Sequence, residues 1–285
     1  MKILISLDIE GASGIVSSRE IGYPGQPVGD PQATPDYLTA RRWLTADVNA
    51  AVEGALEAGA TSFVLHDTHG LDYRNINLDE LHQSVEVVKG QPVIFYEYED
   101  LDSSYAGNFL IGMHARAGQP GVLSHILNWP LLEEVRINGE PVGESHVTAA
   151  LAAHFSIPTV LITGDNVICE EIAAWNHGQM ETAVVKTSLT RYAVRCLPLT
   201  VARQRIRDAA YRAVKRIGSV QPRGYEAPIT LEVDTIDRQV ARAVSWMPEI
   251  KWDGNRTVAY TGDNFLSVYK VLLAILWIMS SRMNP

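Results

Sequence analysis

Four short segments of this 285-residue chain carry side chains suited to binding divalent cations. The first is Asp8-Ile9-Glu10, which follows the apolar run Ile3-Leu4-Ile5-Ser6-Leu7. Side chains alternate across a strand, so carboxylates two positions apart face the same way. Their repulsion turns into attraction once a cation sits between them. The second segment is His66-Asp67-Thr68-His69, the third is His114-Ala115-Arg116, and the fourth is Gly143-Glu144-Ser145-His146. The first three follow strand-like runs, and Glu144 stands just ahead of a helix. Two histidines and three carboxylates make a borderline-to-hard donor set, which suits zinc, manganese or a related divalent ion. Each piece has a plainer reading by itself. An Asp-x-Glu pair serves as a loop or cap feature, His66 and His69 as loop histidines, and His114 as a satisfied core histidine. A carboxylate such as Glu144 is favoured at a helix start by the macrodipole alone. The weight comes from all of them falling on one predicted sheet edge. Gly11 and Gly14 make a poor phosphate-binding fingerprint, because no third glycine or Lys-Ser/Thr pair accompanies them.

The elements that must position these groups alternate between strand and helix. Strands are predicted at Ile3 to Leu7, Thr61 to Leu65, Val85 to Val88 and Asn108 to Met113. A helix is predicted from about Pro35 to Ala58, where Leu44, Val48, Val52, Ala55 and Leu56 recur at helical spacing and Gly59 stops it. A short helix is expected around Leu78 to His82. Further on come a helix from Val147 to His154, a strand from Thr159 to Thr163, and an amphipathic helix over 199 to 217. Such alternation implies an α/β fold of three layers, a mainly parallel sheet with helices on both faces. The carboxyl ends of its strands open on one edge, where ligands bind. Pro222 to Pro228 marks a boundary. Residues 1–222 are read as the metal-binding catalytic α/β domain. Residues 223–285 are read as a smaller C-terminal α/β part, strand-strand-helix, packed on the first and involved in assembly. In it Ile229 to Asp234 alternates in period two. The apolar final helix, Phe265 to Met279, reads as a buried or subunit-interface element. The Gly/Pro-rich connection over 17 to 38 is long enough to be functional, with its 21–35 part near the cleft.

Bulk properties narrow the class. A net charge of −9 argues against a nucleic-acid binder. The longest apolar run, Val271 to Met279, is nine residues and falls far short of the ~20 that span a bilayer. Cys169 and Cys196 lack metal or redox spacing, and read as buried or half-buried free thiols in a reducing compartment. No signal peptide is visible, and a cytoplasmic location is expected.

Ser6-Leu7-Asp8-Ile9-Glu10-Gly11 resembles the Ser-x-Asp-x-Glu-Gly signature of the D-aminopeptidases of the DppA type, the zinc D-aminopeptidase family. The likeness continues in order through Asp67-Thr68-His69, Gly112 to Ala117, Pro120 to His125 and Asn138 to Glu144, and reaches Gly164-Asp165 and Ala183-Val184-Val185-Lys186. His66 departs from it, since the family usually has another residue type ahead of its Asp-Ser/Thr-His triplet. A role beside the ligands, or none, is expected for His66.

The resemblance implies a binuclear zinc aminopeptidase with two Zn2+ per chain. It assigns the metal ligands to Asp8, Glu10, His69, His114 and Glu144, and an additional active-site histidine to His125. It also implies a homodecamer of paired pentameric rings that releases N-terminal D-amino acids from short peptides. In such a centre a bridging water shared by two ions is activated near neutral pH. Asp8, the shorter carboxylate and the closer to the strand, is the better bridge. His125 would donate a proton to the leaving amine or stabilise the oxyanion. The alternatives are another metal-dependent amidase or phosphoesterase on the same scaffold, or a peptide-binding protein without catalysis.

Overall fold

The computed structural model describes residues 1–22, 35–70, 74–89, 100–127 and 131–280. Most of the long connection read as functional lies outside the described residues. The chain runs β1 (Lys2–Leu7), α1 (Pro35–Ala58), β2 (Ser62–Asp67), β3 (Val85–Val88), β4 (Tyr105–Met113), β5 (Leu132–Ile137), β6 (Glu140–Val142) and α2 (Glu144–His154). It continues through β7 (Thr159–Asp165), α3 (Asn166–Trp175), β8 (Glu181–Thr190), β9 (Ala193–Cys196), α4 (Leu199–Arg216) and β10 (Ile229–Thr235). The last elements are α5 (Arg238–Val244), β11 (Lys251–Trp252), β12 (Thr257–Gly262) and α6 (Phe265–Ser280).

Seven strands form a sheet in the order β3-β2-β1-β4-β7-β8-β9, parallel except for β9. Its central strands are apolar throughout because both faces are covered. Along β1, Ile3, Ile5 and Leu7 pack into one cluster with Leu44, Val48, Ile206 and Ala210 of α1 and α4. Leu4 points the other way and joins a second cluster with Val147 and Leu151 of α2 and Leu272 of α6. The predicted three-layer α/β architecture is therefore present. Outside that second face lies a smaller antiparallel sheet, β11-β12-β10-β5-β6. It takes β5 and β6 from the middle of the chain, so it draws strands from both sides of residue 222.

Two expectations change. Residues 78–82 form a turn held by i→i−3 bonds, Glu80 N–H to Asn77 O (3.2 Å) and Leu81 N–H to Leu78 O (3.4 Å). So short a segment does not repay helix nucleation. Cys196 is exposed on the edge strand β9, while Cys169 is buried; both are free. No helix of the described residues is long and apolar enough to cross a membrane.

The order β2-β1-β4 puts three strand ends side by side. Past Leu7 the backbone crosses the end of β4, with Asp8 N–H donating to Ile111 O and Gly11 N–H to Gly112 O, both 2.8 Å. Only glycines permit this approach. A Cβ on Gly11 would overlap the Met113 carbonyl oxygen, and one on Gly112 would overlap that of Asp8. Gly112 also has φ of +75°, a left-handed conformation that L side chains rarely adopt. Gly139, at φ of +80°, has open space around it. We expect Gly112→Ala to lower stability by about 3 kcal/mol or more, through overlap added to backbone strain. Gly139→Ala, with strain alone, should cost about 1 kcal/mol. Denaturant unfolding of the two variants checks this; equal losses would contradict the crossing as the tighter constraint.

Candidate metal centre

Every segment singled out for its donors reaches the edge formed by β1, β2 and β4. Asp8 and Glu10 lie in the turn just beyond β1 rather than on the strand itself. Their turn is tied down on all sides. Besides the two bonds to β4, Ser13 N–H donates to Asp47 Oδ2 of α1 (2.8 Å). The Lys186 ammonium of β8 donates to the carbonyls of Glu10, Ala12 and Ile15.

His69 follows β2. Its loop is fixed by Thr68, whose N–H and hydroxyl both donate to Leu7 O. It is also fixed by Asn75, which donates from its main chain and amide to the Asp67 carboxylate and from its amide to His69 O. His114 follows β4 directly, and Glu144 opens α2. Sequence reasoning missed Asn75, Asp47 and Lys186 as supports, because each acts on a segment distant in the chain.

The donor atoms converge. His69 Nδ1 lies 3.1 Å from both Asp8 Oδ1 and Glu10 Oε2. His114 Nε2 lies 3.4 Å from Asp8 Oδ2 and 3.2 Å from Glu144 Oε1. Asp8 thus shows one oxygen to each histidine. His125 is stacked on His114, with centroids 4.1 Å apart and planes at 10°. Its Nε2 is 3.7 Å from Glu144 Oε1 and 4.0 Å from Glu10 Oε1. Three groupings, Asp8-Glu10-His69, Asp8-His114-Glu144 and Glu10-His114-His125, each bring one donor atom per residue within 4.8 Å of the others. His66 belongs to none of them. It is buried on β2 and faces Asp100 across 3.9 Å.

The far nitrogen of each of the three rings is placed to donate to a main-chain carbonyl. His69 Nε2 meets Ile21 O (2.8 Å), His114 Nδ1 meets Ala115 O (2.9 Å) and His125 Nδ1 meets Leu123 O (2.8 Å). That arrangement fixes the tautomer and aims a lone pair into the cluster, as an outer shell does for metal-binding histidines. Asp8 Oδ2, Glu10 Oε2 and His114 Nε2 are buried atoms without a hydrogen bond. Buried carboxylates crowded against imidazole nitrogens are what a divalent cation satisfies once it takes the place of the protons they share. The donor set fits the group.

With only protons available, the histidines carry the positive charge. Burial opposes protonation of His69, but the Glu10 and Asp8 carboxylates raise its pKa well above the ordinary value. Burial likewise opposes that of His114, and Glu144 with Asp8 and Glu10 brings it to about 10. Burial and the nearby Glu10 push Asp8 up to about 7. Glu10 is held low despite its burial, chiefly by His69. Glu144 is also held low despite burial, by His114. Burial and His114 push His125 down, so it is the neutral member.

Beside the carboxylates runs an apolar wall. Met113, Leu127 and Val147 meet Tyr269, Leu272 and Leu276 of α6 there, next to Asp8 and Glu144. The final helix, read from sequence as outside the chemistry, therefore lines the cleft.

Comparison with known proteins points one way. The model of a family described as D-aminopeptidase matches residues 1–274. A D-aminopeptidase of Bacillus subtilis (strain 168) is 28% identical over 277 residues, 96% of each chain. The solved structure of the Zn-dependent D-aminopeptidase DppA from Bacillus subtilis, a self-compartmentalizing protease, superposes with a TM-score of 0.89. It is 25% identical, and 98% of each chain is covered.

Ligation needs the lone pairs that His69 and His114 give to protons in the metal-free protein. With Asp8 near its pKa of about 7 adding a share, zinc uptake near pH 7 should therefore release about two to three protons per chain, and affinity should rise with pH. Titration calorimetry in two buffers of different ionisation enthalpy measures this. Identical heats in both would contradict the protonation pattern.

Proposed function

The chain belongs to the D-aminopeptidase family, and we propose that it is a zinc-dependent aminopeptidase with two ions per chain that removes N-terminal D-amino acids from short peptides. Asp8, Glu10, His69, His114 and Glu144 would hold the ions, with Asp8 shared between them. The observation that carries this reading is the cluster of buried, unsatisfied carboxylate and imidazole atoms, each ring braced from behind by a carbonyl. Bound zinc supplies Lewis acidity toward the scissile carbonyl and lowers the pKa of water.

The remaining work falls to the chain itself. His125 enters as a neutral base with Nδ1–H held by Leu123 O, leaving Nε2 free to take a proton from the attacking water. It returns that proton to the departing amine, which must leave as a neutral group. Stacking on His114 holds the ring in place. The apolar wall from α2 and α6 excludes water on one side. Assembly into a homodecamer of two rings would restrict access to short peptides. The exposed Trp246 and Trp277 are suited to such contacts. The free thiols favour a reducing compartment, the cytoplasm.

The zinc-loaded enzyme should hydrolyse D-aminoacyl p-nitroanilides, spare their L-counterparts, leave a phosphate ester intact, and lose activity to a chelator. Preference for the phosphate ester would replace the peptidase reading with phosphoesterase chemistry, and no hydrolysis at all would favour a binding protein. His125→Ala should retain both ions by metal analysis while kcat falls by about 10²–10⁴-fold. Turnover near that of the unaltered enzyme would remove His125 from the reaction.

A further inference from the structure

Lys186 is fully buried in β8, and its ammonium lies against no carboxylate among the described residues at ion-pair distance. It meets three main-chain carbonyls of the turn after β1 instead: Glu10 O at 2.6 Å, Ala12 O at 2.8 Å and Ile15 O at 2.6 Å. An ammonium has three donors and no acceptor, so this cage uses its whole capacity. The turn is bound in a complementary way. Its N–H groups at Asp8, Gly11 and Ser13 go to Ile111 O, Gly112 O and Asp47. Its carbonyls at three other positions go to one side chain. Burying a cation costs several kcal/mol, so a lysine placed where a water or an amide would satisfy one carbonyl calls for a reason beyond filling space. The reason lies in the cage itself. One of the two carbonyls it grips at 2.6 Å belongs to Glu10, whose carboxylate lies in the donor cluster.

We propose that Lys186 is a positioning residue for the metal centre. Its ammonium fixes the main chain of Glu10 before any metal arrives, and so sets where that carboxylate stands. The proposal rests on the reading of Glu10 as a ligand. Without the ammonium, the buried carbonyls of Glu10 and Ile15 lose their donor, Ala12 O keeps only the Ile15 N–H at 3.3 Å, and the turn relaxes toward water. Glu10 then reaches the cluster only after reordering, a cost deducted from metal affinity.

The test separates the clamp from the metal. In metal-free Lys186→Met, the amides of residues 11–15 should exchange with deuterium faster than in the unaltered protein, while those of β1 and β4 stay protected. Chelator competition should show zinc held at least about tenfold more weakly, the loss typical of removing an outer-shell support. Turnover with zinc in excess should fall mainly in kcat. Lys186→Ala lacks three carbons and the ammonium of the native side chain, a piece matched by n-propylammonium. That ion should restore both slow exchange and zinc affinity, and n-propanol should restore neither. Native exchange rates in Lys186→Met, or equal rescue by n-propanol, would overturn the clamp. Faster exchange with unchanged zinc affinity would overturn the link to the metal centre; if Glu10→Gln also binds zinc normally, the fault lies in the ligand assignment.

Discussion

The two backbone bonds that carry the chain from the end of β1 across the end of β4 constrain everything else at this site. Asp8 N–H to Ile111 O and Gly11 N–H to Gly112 O place the carboxylates of Asp8 and Glu10 within reach of His114. Because the two main chains nearly touch, neither side tolerates a Cβ at its glycine. Backbone geometry is stiffer than any side-chain rotamer, so a donor fixed this way is placed to a fraction of an ångström. That precision is what a set of converging donor side chains needs from the backbone beneath it.

Electrostatics is arranged around the same point. The buried carboxylates of Asp8 and Glu10 and the half-buried one of Glu144 repel one another, and burial multiplies the cost. In the metal-free protein two imidazolium rings meet that demand, which is why His69 and His114 hold their protons so tightly. His125 stays neutral although it stacks on His114 only 4.1 Å away. The cluster therefore contains both protonated donors, which a cation displaces, and one neutral base, which it need not. The Lys186 ammonium adds positive charge behind the turn, outside the donor cluster.

Much of this was legible in the residues alone. β1, β2, β4 and β7 are short apolar runs because both faces of the sheet are covered, and α1 shows its buried stripe plainly. The alternation over Ile229–Thr235 matched a strand with one face buried. The β5-β6 hairpin escaped notice, although Asn138-Gly139 between two strand-like runs carried its signal. Both residues adopt positive φ, at 53° and 80°, as a tight hairpin turn requires. The donors were legible because few side chains bind a cation, and they recur where strands stop. Their supports were not. Lys186 acts on residues more than 170 positions away, and Asn75 and Asp47 are ordinary polar residues until the fold brings a loop against them. The role of α6 was hidden for a different reason. An apolar helix looks the same whether it fills a core or lines a cleft.

That last helix gives the cleft an uneven history. Asp8, Glu10, His69, His114 and Glu144 all come from the first 144 residues of the chain, whereas Tyr269, Leu272 and Leu276 come from its far end. During synthesis these donor side chains leave the ribosome well before the helix that packs beside them. A nascent chain stalled between the two would hold the donor cluster open on the side that α6 walls in.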